Sequence, residues 1–340
     1  MLTQPQTESC PLCGVVLDVS QLGLCSLVRC PGCSSEIRVR TRAGSFRLSD
    51  LLARGGAGSV YRAVPLSGKL RVRQPGFFGA LGLYWRTHRE VALKLIEPGV
   101  ADHDEQLSLL RNEVSCARRV RCDRVVKVLG YEEDREGARM AMELMSGGSL
   151  HDMVAAGMML DERRLITTAL DVIEALEAVS RRGMFHGDLK PANILFDDSG
   201  RAKLSDFGLA RSLRGNDGGS LGLHATPDYV APEILEGGHG DFCSDLYGLG
   251  GCLHYGLTGH PPHVTDGLSL DQLREVKRRA VMIPPTRTDI TPDTIALVNR
   301  MMESDPSRRF RTPREAREAL LKAWTPCPHR GAGMLDSGGH

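Results

Sequence analysis

Two cysteine pairs constrain the first 45 residues more tightly than anything else in the chain. "CPLC" at 10–13 and "CPGC" at 30–33 give the pattern C-x2-C, sixteen residues, C-x2-C. Pro and Gly shape each pair into a tight turn, so four thiolates can converge on one tetrahedral Zn2+, with Cys10, Cys13, Cys30 and Cys33 as ligands. Four thiolates close the coordination shell and leave no position for water, which makes the role folding rather than catalysis. A redox dithiol is the rival reading of the same residues. Cys25 lies outside the pairs and reads as an ordinary buried thiol.

Composition decides the compartment. The chain has 340 residues, with 43 Lys plus Arg against 42 Asp plus Glu, so a net charge of +1 makes no electrostatic case for nucleic acid or an anionic membrane. Residues 1–9 lack a basic start and an apolar run, and the apolar window "GFFGALGLYW" at 76–85 is about half of a membrane span. With ten Cys and no secretory signal, free thiols or metal ligands are expected in a reducing, cytoplasmic setting.

From Phe46 onward the pattern changes. "FRLSDLLARGGAGSVYRAV" reads as strand, glycine loop, strand, and "EVALKLIE" at 90–97 and "RMAMELM" at 139–145 read as further strands. "DEQLSLLRNEVSCARRV" at 104–120 has helical spacing. "DERRLITTALDVIEALEAVSRRG" at 161–183 combines an Asp N-cap, a helical apolar stripe, a basic last turn and a Gly stop. Helical patterns dominate from Asp241 to about Ala323. The expectation is an α+β, two-lobed architecture: a small strand-rich part followed by a larger helical one.

The motifs that carry chemistry lie along these elements. "LLARGGAGSVYRA" matches a phosphate-covering G-x-G-x-x-G-x-V loop, with Ala53 first and Gly55, Gly58 and Val60 following; a plain hairpin would explain the glycines equally. "VALK" at 91–94 puts Ala92 and Lys94 on a strand, and Glu113 follows nineteen residues later on the helix. "MELMSGGSL" at 142–150, "HGDLKPAN" at 186–193, "SDFGLA" at 205–210 and "TPDYVAPE" at 226–233 come next, then Asp245 in "SDLYGLG" and Arg309 in "DPSRRF". Taken in order, they resemble a eukaryotic-type serine/threonine protein kinase over about residues 46–323. The cysteine segment, residues 1–45, resembles a zinc ribbon, and 324–340 is a Gly-rich tail.

The resemblance implies ATP with Mg2+ or Mn2+ in a cleft, and transfer of the γ-phosphoryl group to protein Ser or Thr hydroxyls. Lys94 would pair with the α/β-phosphates and Glu113 would hold it. Met142, Glu143 and Met145 would line the adenine site. Asp188 would accept the substrate proton, Lys190 would offset charge, and Asn193 and Asp206 would hold the metal. Thr226 would dock the protein substrate, Asp245 would tie the catalytic loop to the core, and Arg309 would pair with Glu233.

Some positions depart from the family pattern. Gly187 stands where protein kinases usually have Arg, which removes a cation that reads phosphate in the activation segment. Control through that phosphorylation is therefore not expected. His-Gly-Asp also fits kinases of small molecules, but the "DFG" and "APE" matches do not. An inactive ATP-binding scaffold is the other alternative, although Lys94, Glu113, Asp188, Asn193 and Asp206 are all present. The stretch 65–89 looks like an insertion between two strands. Its Phe77, Phe78 and Trp85 give either an elongated hairpin or a docking surface for a partner or for the ribbon. Cys327 and His329 have no second pair nearby and read as incidental.

Overall fold

A computed structural model describes residues 7–55, 58–66, 90–96, 103–134, 137–212, 226–279, 281, 283 and 287–324. The 65–89 stretch from Ser67 onward, Ser220 and the tail with Cys327 and His329 lie outside the described residues. The chain divides into two compact units, residues 1–119 with 126–146 and residues 120–125 with 147–340.

The first unit opens with two short antiparallel hairpins, β1 (Thr7–Ser9) with β2 (Val16–Asp18) and β3 (Ser26–Arg29) with β4 (Glu36–Val39). The residue before each hairpin turn is a cysteine, and the two turns share one bonding scheme. Cys10 N–H donates to the Val15 carbonyl and Gly14 N–H to the Cys10 carbonyl; Cys30 and Ser34 repeat this with Ser35 and Cys30. Cys10, Val19, Cys30, Ile37 and Val39 form a small buried cluster of their own.

A six-stranded antiparallel sheet follows: β5 (Arg42–Ala43), β6 (Phe46–Gly55), β7 (Gly58–Pro65), β8 (Val91–Ile96), β9 (Val128–Asp134) and β10 (Gly137–Glu143), in the order β5-β6-β7-β8-β10-β9. The end of the cysteine segment thus supplies an edge strand, because Arg42 and Ala43 pair with Arg47 and Phe46. The sheet curls until its edges approach: a side chain at Gly44, beyond β5, would lie 2.6 Å from Nε of Arg139 on β10 and 3.1 Å from Glu132 Oε2 on β9. Cys25 joins Ala43, Phe46, Leu48, Tyr61 and Leu93 in the sheet's core, and its thiol donates to the Ser49 carbonyl at 3.1 Å. Against the sheet runs α1 (His103–Arg119), acidic in its first turn and basic in its last, as the helix dipole favours.

The second unit is mainly helical. It begins with α2 (Leu150–Ala155), closed by a capping box between Ser149 and Asp152, and α3 (Glu162–Ser180), capped by Asp161. Short pairs β11 (Met184–Phe185) with Arg211–Ser212, and β12 (Ile194–Phe196) with β13 (Ala202–Leu204), frame the segment between them. Then come α4 (Pro232–Leu235), α5 (Phe242–Thr258), α6 (Leu270–Arg278), α7 (Pro292–Met301) and α8 (Pro313–Trp324). Most of α5 is buried, and Gly248, Gly250, Gly251 and Gly256 let Leu189, Met301, Pro262 and Leu160 approach its backbone. No described helix is long and apolar enough to cross a membrane.

Candidate active site and metal centre

In the first unit, strand register gathers side chains on one face. Directly opposed residues share a face, as do residues two apart on one strand. Ala53 opposes Val60, Val60 opposes Lys94, and Ala92 opposes Met142, so all five point the same way. Lys94 Nζ lies 2.7 Å from Glu113 Oε2 on α1, and both side chains are almost fully buried. Gly55 pairs with Gly58 at the end of the β6–β7 hairpin. Gly58 has φ +105°, and a Cβ there would sit 2.4 Å from the Leu95 carbonyl, so no other residue fits that turn. Glu143 is fixed by Lys127: its N–H donates to the Lys127 carbonyl and its Oε1 accepts the Lys127 N–H. Met145 is half-buried just beyond β10.

In the second unit, the turn between β11 and β12 is built around Asp188. Its Oδ2 accepts from Lys190 Nζ at 2.6 Å, and its Oδ1 accepts from both the N–H and the hydroxyl of Thr226 at 3.2 Å. Asn193 Nδ2 donates to the Asp188 carbonyl at 2.8 Å, which leaves the amide oxygen, an acceptor, as the atom that can ligate a cation. Asp245, at the start of α5, holds the turn from below by accepting the consecutive N–H groups of His186 (2.7 Å) and Gly187 (2.9 Å). Burial pushes the Asp245 carboxyl up, against the pull of His186 and those two donors. Gly187 has φ +81°, a conformation in which glycine is unstrained.

His186 links this turn to the next. Its Nδ1 accepts the Asp188 N–H, so Nε2 carries the proton and donates to the Ser205 carbonyl at 3.0 Å. The neighbouring Asp206 has φ +62° although it is not glycine, and Gly208 N–H points to its Oδ1. A backbone held there is strained and must be fixed by its surroundings. Ser205 N–H to the Asn193 carbonyl and the Phe207 ring edge-on to His186 at 5.0 Å supply that fixing. Beside Asp188 opens a hollow lined by Gly187, Thr226, Tyr229, Val230 and Ile234. Arg309, fully buried, forks onto both Glu233 oxygens at 2.7 and 2.8 Å.

The four thiols of the N-terminal hairpins lie within 4.8 Å of one another, with Cys10–Cys33 at 3.8 Å and Cys13–Cys30 at 3.5 Å. Four Zn–S bonds of about 2.3 Å in a tetrahedron need sulfurs roughly 3.8 Å apart. The donor set therefore fits zinc in both chemistry and spacing. The Ser35 N–H and hydroxyl draw the Cys33 thiol down to about 6 and the Leu12 N–H lowers Cys10, whereas Cys13, despite the Val15 N–H, is pushed up to about 12 by the neighbouring Cys30 sulfur, burial and the other two thiols. For a nucleotide-bound divalent cation, the Asp206 carboxylate and the Asn193 amide are hard oxygen donors of the right kind.

Sequence reasoning read His186 only as the first residue of His-Gly-Asp, with no role for the two ring nitrogens that join two motifs, and did not find Arg139, the buried cation paired with Glu132 and Asp134 near the closing turn of the sheet. A His before a Gly and an Arg in an apolar strand carry no local signal for either role.

The protein kinase domain family matches residues 76–325, and the chain belongs to that family. The match begins inside the 65–89 stretch, yet β6 and β7 before it pair into the same sheet as β8. The chain is 28% identical over 315 residues to a probable serine/threonine-protein kinase of Streptomyces coelicolor, covering 88% of this chain and 43% of that one. It is 30% identical over 287 residues to the serine/threonine-protein kinase PknB of Mycolicibacterium smegmatis, covering 82% and 42%. With the serine/threonine-protein kinase PknL of Mycobacterium tuberculosis it shares 31% over 216 residues, covering 63% and 49%. The chain thus spans less than half the length of each of these relatives.

Proposed function

We propose that this chain is an active serine/threonine protein kinase that transfers the γ-phosphoryl group of ATP to Ser or Thr hydroxyls of proteins. The observation that carries the reading is the Asp188 carboxylate, with Lys190 on one oxygen and Thr226 on the other. A carboxylate held in this way can accept the acceptor hydroxyl's proton and aim its oxygen, while the adjacent ammonium offsets charge on the transferred group. Lys94, held by Glu113, would position the α/β-phosphates, and the turn at Gly55 and Gly58 would cover them. Ala92, Met142, Glu143 and Met145 would accommodate adenine. Asn193 and Asp206 would hold Mg2+, which when bound neutralises the phosphate oxygens.

Residues 1–45 would be a zinc ribbon whose metal serves folding, residues 46–323 the kinase domain and 324–340 a tail. The 65–89 stretch or the ribbon would dock a protein partner, and the chain would work in the cytoplasm. Gly187 in place of the phosphate-reading arginine makes activity independent of activation-segment phosphorylation. Ser212→Ala with Ser220→Ala should therefore leave the initial rate intact, and a collapse in that rate would sink this part.

The reading is tested by labelled-ATP transfer with casein and with small alcohols as rival acceptors. Transfer to casein that disappears in Asp188→Asn is expected. Nucleotide binding without transfer would make the chain a scaffold, and transfer to the alcohols alone would make it a small-molecule kinase.

A further inference from the structure

The segment carrying Thr226 is gripped at a second point, from α6. Two residues beyond Thr226, Asp228 is held twice: Lys277 Nζ donates to its carbonyl at 2.6 Å, and Thr265 Oγ1 donates to its Oδ1 at 2.5 Å. Lys277 is in the last turn of α6, where a basic residue ordinarily reaches into water, yet it is only 1% exposed. Its neighbours show the ordinary arrangement: Arg278 pairs with Glu236 at the surface and Arg274 bonds the Leu235 carbonyl. The Lys277 ammonium instead faces the ring of Tyr247 at 5.3 Å, and the Arg309 guanidinium lies 4.9 Å from the same ring.

A buried ammonium is hard to explain by packing alone. A methionine fills the same volume without giving up hydration, and replacing buried charge with apolar groups is often neutral or stabilising. What the ammonium adds is a charge-assisted bond to one backbone carbonyl, with the geometric definition that such bonds carry. That carbonyl belongs to the stretch that begins at Thr226, on the Asp188 carboxylate, and continues to Tyr229 and Val230, which line the adjacent hollow.

We propose that Lys277 is a positioning residue for the protein substrate, a cation on α6 that clamps residues 226–230 through the Asp228 carbonyl and thereby sets the affinity for the acceptor. The proposal rests on the kinase reading above and adds a specificity determinant to it. The groups facing Lys277 are Asp228 from the clamped segment, Tyr247 from α5 and His263 from the loop before α6, with the Arg309–Glu233 pair beyond Tyr247. Burial and the Lys277 charge hold the His263 imidazole down to about 3, so it stays neutral across the working range. Burial brings Lys277 itself down to about 7, opposed by Asp228. The clamp therefore loses its charge as pH rises from 6.5 to 8.5.

The experiment measures KM for casein and for ATP at pH 6.5 and 8.5 in the purified wild-type chain, Lys277→Met and Lys277→Arg, with thermal melts of each. Lys277→Met is expected to raise the casein KM about tenfold at pH 6.5, the effect of losing one charge-assisted bond, with the ATP KM changed by less than about twofold. Lys277→Arg, which stays charged, is expected to keep the low casein KM at both pH values, whereas the wild-type casein KM rises toward pH 8.5 as the bond loses its charge. Casein KM unchanged in a folded Lys277→Met chain overturns the clamp while the kinase reading stands. So does a parallel rise in both KM values that Lys277→Arg fails to rescue. A wild-type chain with no transfer to casein at all overturns the kinase reading and the clamp with it.

Discussion

Lys94 on β8 and Glu113 on α1 form a buried ion pair, Nζ to Oε2 at 2.7 Å, that ties the helix to the sheet. Removing one partner leaves the other charge buried and unpaired, which costs about 3–5 kcal/mol. Lys94→Met is expected to lower the melting temperature and to reduce phosphoryl transfer at least about 100-fold, the scale of losing a phosphate-positioning charge. Lys94→Met combined with Glu113→Leu should recover much of the stability and none of the transfer. A double variant that transfers phosphate would show that the pair serves folding alone.

Thr226 reaches Asp188 Oδ1 through two donors, its backbone N–H and its hydroxyl, both at 3.2 Å. Thr226→Val removes only the hydroxyl, so one bond remains and the loss should be partial. A hydrogen bond to a carboxylate is worth about 1.5–3 kcal/mol, so kcat should fall roughly tenfold to 100-fold with the melting temperature nearly unchanged. Thr226→Ser should restore it. Equal rates in the threonine and valine forms would show that the hydroxyl does not act on the carboxylate.

Much of this was legible because the determinants are local. The Asp161 cap and apolar stripe announce α3, the short apolar run "EVALKLIE" announces β8, and fixed spacings announce the Asp188 turn and the cysteine turns. What was not legible depends on contacts distant in sequence. "RVRTRAGS" reads as basic and turn-prone, but β5 is a strand because Arg42 and Ala43 find a partner in β6 and Gly44 finds room over Arg139. Cys25 reads as an ordinary buried thiol, and burial is right, but only the fold shows that it packs into the sheet's core. Nothing in the period of "EVKRR" distinguishes Lys277, which is buried, from Arg278, which is not. The 65–89 stretch from Ser67 onward lies outside the described residues.

The cysteine hairpins have only a small apolar cluster of their own to hold them together. Five buried residues, Cys10, Val19, Cys30, Ile37 and Val39, with a few half-buried neighbours make a core of the size at which small folds ordinarily rely on a metal or disulfides. One zinc per chain is expected by elemental analysis, and Cys30→Ser should abolish it. Structural zinc binding is worth about 10–16 kcal/mol in comparable units, so the metal-free hairpins should open to protease within residues 7–39. Unchanged zinc content in Cys30→Ser would place the metal elsewhere.

Arg309 is fully buried and makes five bonds: two to Glu233, and one each to the carbonyls of Glu303, Cys243 and Ser304. A planar fork is needed to reach that many acceptors at once, and lysine, with one point of charge, cannot reproduce it. Arg309→Lys is therefore expected to destabilise by about 2–4 kcal/mol, because several buried acceptors lose their partners. Urea unfolding checks this, and a midpoint within error of the wild type would refute it.

Lys277 should also shape the stability of the second unit against pH. Its folded-state pKa lies at about 7, below the ordinary 10.5, because burial disfavours the ammonium. Between those values the unfolded chain holds a proton that the folded chain has released, so stability rises with pH across the window. Above 10.5 both states are neutral and below 7 both are charged, so the slope from this group vanishes on either side. At its steepest one proton contributes about 1.4 kcal/mol per pH unit. Denaturant unfolding at pH 7.5 and 9.5 should therefore show a gain in the wild type that Lys277→Met lacks, with the variant at least as stable as the wild type at pH 7.5. Identical slopes in the two proteins would mean that Lys277 keeps its proton throughout, and that the ammonium is better solvated by Tyr247 and the Asp228 carbonyl than its burial implies.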